Sequence, residues 1–211
     1  MTKENSTTKQ NVAILLYDGV ELLDFAGPGE VFERAGNGDA FNVYTVAATT
    51  DPILSQGFVR IIPEFSVSDS PPPDILVVPG GVRYSTLENQ ALLDWVKDAA
   101  GSASVNFSVC TGVFLLAKAG LLEDKAATTH HGSIDKLAEF SPGTQVQANA
   151  RYIDNQGLVT AAGVSAGIDA SLYVVSQLLG KNAAREVAYY MEYFWDPDDV
   201  TNDIETILTA N

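Results

Sequence analysis

The chain has 211 residues, 46% of them hydrophobic, and its 27 acidic residues outnumber 12 basic ones to give a formal net charge of -15. This length and apolar content suit one domain with a sizeable core, whereas the negative surface repels phosphate backbones and anionic membranes, so neither nucleic acid nor membrane is an expected partner. A single cysteine excludes an internal disulfide, and together with a polar start that lacks a signal-peptide core it predicts a cytoplasmic protein.

Short β-rich apolar segments alternate with longer segments of helical pattern along the chain. In chain order the pattern predicts a strand over 11–17, a helix over 27–38, a strand over 40–48, a hairpin over 52–65, a strand over 71–81, a helix over 87–101, a strand over 103–109, a helix over 110–120, a strand over 125–131, a helix over 133–140, a strand over 144–150, a hairpin over 151–163, and helices over 165–180 and 182–195.

Strands separated by crossover helices predict a parallel sheet with helices on both faces. The sequence shows no internal repeat and no linker. We therefore expect one α/β domain over residues 11–195, with a polar N-terminal tail over residues 1–10. An acidic C-terminal extension is predicted over residues 196–211.

Cys110, the only cysteine, stands where a predicted strand passes into a predicted helix. Ligands of open α/β sheets bind at such carboxyl ends of strands, and the turn is comparable to the nucleophile elbow of hydrolases. The helix dipole there favours a thiolate of lowered pKa, and the Thr111 amide is placed to stabilise a developing negative charge. The alternative is a buried structural cysteine, which is common for a lone cysteine.

Three other groups end predicted strands and have both a functional and a structural interpretation. His130 is followed by His131, and either imidazole can reach the same crevice or form a structural hydrogen bond. Gly81 ends the segment VVPGG; its amide can approach a substrate closely, or the glycines form an ordinary turn. Asp24 is a candidate acid, or it caps the following helix.

The segments LLDFAGPGEVF, VVPGG, SVCTG, AGLL, ATTHH and GVSAGID occur in an order that resembles the ThiJ/PfpI superfamily, the class I glutamine-amidotransferase-like proteins. The resemblance covers residues 11 to 195 and is strongest to isonitrile hydratases and the sensor domains of AraC-type regulators. It implies a flavodoxin-like three-layer α/β/α sandwich with a mostly parallel central sheet, usually as a homodimer. It also implies that Cys110 is the nucleophile, Asp24 its acidic partner and Thr111 the residue after the elbow.

By the same resemblance, Gly81 supplies a second oxyanion amide and His130 matches the histidine of the ATTH segment. The chain departs from the pattern at its end, where YYMEYFWDPDD replaces a typical Pro-rich ending, and at two places near the site. Thr111 stands where protease-like members have histidine, which disfavours a Cys-His dyad. After the glycine pair the chain continues with Arg83 and Tyr84, which we expect at the site mouth, where they select a polar or anionic substrate or form a solvated loop.

The activity implied by the resemblance is that of a cofactor-free lyase, an isonitrile hydratase that acts through a thioimidate on Cys110. No metal is expected, since two adjacent histidines and one distant cysteine do not have a recognised ligand spacing. Two alternatives stay open: a ligand-sensing domain related to AraC-type regulators, and a redox-responsive stress protein whose cysteine oxidises.

Overall fold

The computed structural model describes residues 8–197. The predicted tail over residues 1–10 lies outside this range except for residues 8–10, and the predicted extension over residues 196–211 lies outside it except for residues 196 and 197. Gln10 already belongs to the first strand.

The described residues form eleven strands and seven α-helices. The strands are β1 (Gln10–Leu15), β2 (Phe41–Ala47), β3 (Ile53–Ser55), β4 (Val59–Ile61), β5 (Phe65–Ser66), β6 (Ile75–Val78), β7 (Val105–Val109), β8 (Ala126–Ala127), β9 (Gln145–Val146), β10 (Tyr152–Asp154) and β11 (Leu158–Ala161). The helices are α1 (Leu22–Arg34), α2 (Tyr84–Leu87), α3 (Gln90–Ser102), α4 (Val113–Lys118), α5 (Ile134–Phe140), α6 (Ala166–Leu179) and α7 (Lys181–Tyr190).

Seven of the strands form the central sheet, in the order β10-β11-β7-β6-β1-β2-β5. All neighbouring strands in this sheet run parallel except β10 and β11, which form an antiparallel hairpin. Helices α1, α6 and α7 pack against one another on one face, and α3, α4 and α5 pack on the other. The predicted three-layer α/β/α sandwich is therefore confirmed.

The two innermost strands explain why their sequences are apolar without alternation. In β6 every residue from Ile75 to Val78 is fully buried, and in β1 the residues from Val12 to Leu15 are at most 2% exposed. A parallel strand covered by helices on both faces has no solvent side, so both sets of side chains must be apolar. These strands form the centre of the core and place their carboxyl ends side by side.

Several predicted elements have different boundaries in the structure, and two of these differences lie next to the site. The first helix begins at Leu22, five residues before the predicted start at residue 27, so Pro28 lies inside α1 and not in its first turn. The chain enters α1 early because the Glu21 amide donates to Gly80 O at 3.0 Å, which fixes the start of the helix beside β6.

The second difference is that the strand predicted over residues 125–131 is shorter in the structure. Only Ala126 and Ala127 form β8, and this strand pairs with β9 in a separate two-stranded sheet. The next two residues do not continue β8. The Thr128 amide instead donates to Thr160 Oγ1 at 3.0 Å, and Thr129 Oγ1 donates to Cys110 O at 2.8 Å.

The carboxyl ends of β1 and β6 lie side by side in the sheet, and the site beside them is called the crevice. After β1 the chain passes to α1 on one face, and after β6 it passes to α2 and α3 on the other face. Loops that leave adjacent strands in opposite directions create the usual ligand site of an open α/β sheet. The predicted site residues gather there.

Candidate active site

Cys110 lies on a sharp turn between β7 and α4. Its φ of 56° is in the left-handed region, which is unusual for a residue with a side chain. The surrounding chain holds this conformation: the Cys110 amide donates to Ala162 O at 2.9 Å, and Cys110 O accepts the Thr129 hydroxyl. A Cβ on Gly112 would lie 2.0 Å from Val78 O, so only glycine allows the elbow to approach β6 this closely.

Asp24 faces Cys110 across the backbone of Gly80. Its side chain is fully buried, and its Oδ2 accepts the Gly80 amide at 2.9 Å. A Cβ on Gly80 would lie 2.5 Å from Asp24 Oδ2 and 2.8 Å from Cys110 Cβ, so the missing side chain lets the two groups come together. The helix-cap alternative for Asp24 is wrong, because Glu21 is the N-cap residue of α1 and Asp24 lies inside the helix.

Burial shifts the pKa values of both groups upward. It raises the pKa of Asp24 to about 7; the Gly80 amide and the Cys110 thiol, acting as hydrogen-bond donors, oppose this shift, and the charge of Glu21 adds to it. Burial, followed by the charge of Asp24, raises the pKa of Cys110 to about 12. The expectation of a lowered thiol pKa is therefore wrong for the state in which Asp24 is ionised, because desolvation outweighs the helix dipole.

The two shifts are coupled. When the proton of Cys110 moves to Asp24, the carboxyl becomes neutral and the repulsion that it exerts on the thiolate is removed. At pH values between about 7 and about 12 the pair holds one proton, which stays on the thiol until it is transferred to Asp24 to give a thiolate and a carboxylic acid. Such a pair holds a nucleophile and an acid at one place.

Hydrogen-bond donors surround the sulfur. The amides of Thr111 and Val164 and the hydroxyl of Thr111 bond the Cys110 sulfur, and each lowers the Cys110 pKa. Gly81, predicted as a direct oxyanion donor, contacts Thr111 instead: its amide donates to Thr111 Oγ1 at 3.1 Å, as does the Val82 amide at 3.3 Å. These two amides polarise the hydroxyl that donates to the sulfur, so Gly81 acts through Thr111.

Val164 is a site residue that the sequence analysis missed. It lies between β11 and α6 with a φ of 50°, which is strained for a β-branched side chain. This conformation directs its amide toward the Cys110 sulfur. Its position in the sequence could have revealed it. Val164 lies in the segment GVSAGID, between a strand of the central sheet and a helix, as Cys110 does.

Glu21 and Tyr17 were also missed. The Glu21 carboxylate accepts the Gln56 side-chain amide, and its charge raises the pKa of both Asp24 and His130. The buried Tyr17 hydroxyl bonds the carbonyls of Pro79 and Gly80. Burial and the charges of Asp24 and Cys110 raise the Tyr17 pKa well above its ordinary value, which keeps the phenol protonated.

His130 lies beside the site without a hydrogen bond to Cys110 within residues 8–197. Its Nδ1 accepts the Gly132 amide at 3.1 Å, and its ring packs so closely on Gly163 that a Cβ there would lie 2.4 Å from Cδ2. Burial and the neighbouring His131 lower the His130 pKa. A neutral imidazole therefore covers the residue that precedes Val164.

Arg83 and Tyr84 lie at the surface beyond the glycine pair. The Arg83 guanidinium packs on Gly19, where a Cβ would lie 2.7 Å from Nε. Tyr84 begins α2 and is 79% exposed. Arg83 is thus held over the loop that follows β1, whereas the Tyr84 side chain extends into solvent.

A cavity of about 390 Å³ opens on the other side of Tyr17. Neither Cys110 nor Asp24 contributes to its lining, whose polar side chains besides Tyr17 are Asp18, Thr49, Asp51, Ser85, Thr86 and Asn89. The cavity and the Cys110 crevice are therefore separate spaces with Tyr17 as a common wall.

The part of the chain that the structure describes holds no group of three or more histidine, cysteine or acidic residues able to bind a metal ion. None of its helices is long and apolar enough to cross a bilayer.

Comparison with known proteins gives matches over most of the chain. Its sequence is 32% identical to an isonitrile hydratase of Pseudomonas putida over 183 residues, which cover 86% of this chain and 78% of the hydratase. It is 26% identical to the HTH-type transcriptional regulator CdhR of Pseudomonas aeruginosa, over 85% of this chain and 54% of the regulator.

A crystal structure of a ThiJ/PfpI family protein from Pseudomonas syringae has the same fold. It superimposes with a TM-score of 0.81 at 30% sequence identity, over 91% of this chain and 78% of that protein. The family model for the DJ-1/PfpI family matches residues 10–177. This range holds the elbow, its acidic partner and the amides around the sulfur, and the chain therefore belongs to the DJ-1/PfpI family.

Proposed function

We propose that the protein is a cysteine-dependent, cofactor-free isonitrile hydratase, a lyase that converts an isonitrile and water into an N-substituted formamide. The observation that carries this proposal is the buried Cys110 at the elbow with the buried Asp24 beside it, separated only by the backbone of Gly80, whose amide donates to Asp24 Oδ2 at 2.9 Å. The similarity to the hydratase of Pseudomonas putida supports it.

In the first half-reaction the pair adds across the terminal carbon of the isonitrile. The proton of Cys110 moves to Asp24, and the thiolate attacks that carbon to form a C–S bond. Asp24 then delivers the proton to the same carbon, which leaves a neutral thioimidate and an ionised Asp24. A carboxyl of pKa about 7 is suited to both steps, because it accepts and returns a proton near neutral pH.

In the second half-reaction water adds to the thioimidate. Asp24 takes one proton from the water, the oxygen bonds the carbon, and Asp24 passes the proton to the substrate nitrogen. The C–S bond then breaks as the carbonyl forms, and the sulfur recovers the hydroxyl proton through Asp24. The amides of Thr111 and Val164 stabilise the departing thiolate.

A panel of alkyl and aryl isonitriles tests this proposal. The wild-type protein should produce the matching formamide, detected by liquid chromatography and mass spectrometry. Rapid acid quenching should trap one thioimidate adduct on Cys110, the only cysteine. Absence of formamide from every isonitrile at substrate concentrations up to the millimolar range would refute the hydratase proposal.

Arg83 provides a test of substrate selection. Its guanidinium packs on Gly19, in the loop that leads to Asp24, so we propose that it favours substrates with an anionic substituent. In Arg83→Ala, kcat/KM should fall about tenfold for a carboxylate-bearing isonitrile, as expected for one lost charge-assisted contact. It should change less than twofold for a neutral isonitrile. Tyr84→Ala is the control, because that side chain extends into solvent. If kcat/KM falls by the same factor for both substrates in Arg83→Ala, the arginine does not distinguish anionic from neutral substrates.

A second candidate function is ligand sensing, and the cavity beside Tyr17 favours it. Its volume of about 390 Å³ suits a small molecule, and it stands apart from Cys110. A regulator among the relatives is consistent with this function. Calorimetry with a metabolite library should detect a ligand whose binding is lost in Asn89→Leu and kept in Cys110→Ala. Loss of binding in Cys110→Ala would instead assign the ligand to the crevice.

The homodimer implied by the family resemblance belongs to the proposal. Phe58 in the β3–β4 turn and Ile62 directly after β4 are 69% and 73% exposed, and exposed large apolar side chains favour association. Light scattering should report twice the chain mass, and Phe58→Ser should lower it. Burial of Cys110, which is 7% exposed, limits the access of oxidants to the sulfur and so disfavours the redox role.

A further inference from the structure

A side-chain network lies directly behind the turn that carries Val164. Arg151 Nε donates to Asp169 Oδ2 at 2.7 Å, and Arg151 Nη2 donates to Ser165 Oγ at 3.0 Å. Asp169 Oδ1 accepts the Tyr193 hydroxyl at 2.9 Å. The arginine and aspartate side chains are only 17% and 15% exposed, so solvent weakens this pair less than an exposed one.

Arg151 forms hydrogen bonds on both sides of the turn that carries Val164. Its carbonyl accepts the Ala162 amide at 2.9 Å, before Val164, and its guanidinium bonds Ser165 and Asp169, after Val164. Ala162 is itself tied to the elbow, since its carbonyl accepts the Cys110 amide. The same arginine therefore fixes the two ends of the segment whose amide meets the sulfur.

Val164 needs such support. A β-branched residue at a φ of 50° relaxes to an extended or right-handed conformation unless its surroundings prevent it. A rotation of the peptide that precedes Val164 would turn its amide away from Cys110. Whatever holds Val164 in its strained conformation therefore also holds its amide at the Cys110 sulfur.

We propose that Arg151 and Ser165 are positioning residues that keep the Val164 amide on the Cys110 sulfur and so stabilise the thiolate. Asp169 orients the arginine, and Tyr193 orients Asp169. The proposal rests on the proposed nucleophilic role of Cys110, but it concerns the acidity of the thiol and is measurable without turnover.

Ser165→Ala is the decisive variant, because it removes the contact between the turn and Arg151 without changing any charge. Arg151→Lys keeps the positive charge but cannot reproduce the two-pronged donor of an arginine. Val96→Ala, which shortens a fully buried side chain of α3, is a control for general destabilisation, since it removes apolar packing without touching the network.

The thiol is titrated by NMR in protein labelled with ¹³Cβ-cysteine, which gives one resonance because the chain has one cysteine. All variants are made in an Asp24→Asn background, in which the charge that contributes to the raised pKa of Cys110 is absent. Ser165→Ala and Arg151→Lys should both raise the thiol midpoint by about one pH unit, as the loss of one hydrogen bond to a charged sulfur predicts. Val96→Ala should lower the melting temperature and leave the midpoint unchanged.

Equal midpoints in Ser165→Ala and its parent would overturn the proposal, as would a parent thiol that does not titrate below pH 11. A shift in Val96→Ala as large as in Ser165→Ala would also overturn it. With Asp24 intact, Ser165→Ala should lower kcat more than it raises KM. If no isonitrile is turned over but the midpoint still rises, the proposed function fails and the positioning role stands.

Discussion

Replacing Cys110 with alanine is expected to reduce isonitrile hydration by about 10⁴-fold or more, which is the scale of loss when a covalent nucleophile is removed. Alanine retains the Cβ and therefore the same strain at a φ of 56°, so the elbow should keep its shape. The measurement is formamide production under saturating substrate. Circular dichroism and melting temperature serve as controls for folding.

Cys110→Ser is the matched variant, because it keeps a hydrogen-bonding group at the elbow. A hydroxyl is a far weaker acid than a thiol, so Asp24 cannot convert it to a useful nucleophile, and we expect a loss similar to that of Cys110→Ala. Activity of either variant within tenfold of wild type would mean that the sulfur does not attack the substrate.

Replacing Asp24 with asparagine should make the protein more stable above neutral pH. The folded-state pKa of Asp24 is raised from 3.8 to about 7, so the folded protein holds a proton that the unfolded chain has lost between those values. The stability that this proton contributes is complete below about pH 4 and is lost as the pH rises through 7. The shift of about three units corresponds to about 4 kcal/mol.

Asparagine has no charge to bury, and its side-chain oxygen can still accept the Gly80 amide. The free energy of unfolding of Asp24→Asn should therefore exceed that of wild type by up to about 4 kcal/mol at pH 8, with the difference disappearing near pH 4. Urea unfolding at several pH values measures this. A variant that is less stable than wild type at pH 8 would contradict the raised pKa.

Activity should change in the opposite direction. Asparagine cannot carry the shared proton, so we expect kcat to fall about 10²- to 10⁴-fold, the usual contribution of a general acid–base group. Higher stability together with lower activity would identify Asp24 as a functional residue. A structural residue would lose both.

Local sequence features predicted the fold and the elbow. The runs that became β1 and β6 are apolar because helices cover both of their faces, and this pattern appears in the sequence directly. Cys110 was found because a strand, a cysteine and a helix follow one another in the chain. The hairpin predicted over residues 52–65 forms as β3 and β4, with its turn at Gln56 and Gly57, where φ is positive at both residues.

The remaining features depend on contacts that are distant in sequence. The raised thiol pKa comes from burial and from Asp24, which lies 86 positions before Cys110 in the chain. Val164 acts through a backbone amide, which no side-chain pattern reveals. Glu21 resembles any surface glutamate in the sequence, and only the folded chain brings its charge near Asp24.

The crevice draws its parts from the chain segments after β1, β6, β7 and β11, and none of these segments can form it alone. Its assembly must therefore come late in folding, after the long-range parallel pairings that make such topologies slow. The reactivity of Cys110 thus reports on the completed fold. In an unfolded chain the thiol is open to alkylating reagents, whereas in the native protein Cys110 is only 7% exposed. The fraction of Cys110 alkylated by a short pulse of reagent, applied at successive times during refolding, would therefore measure when the central sheet is completed.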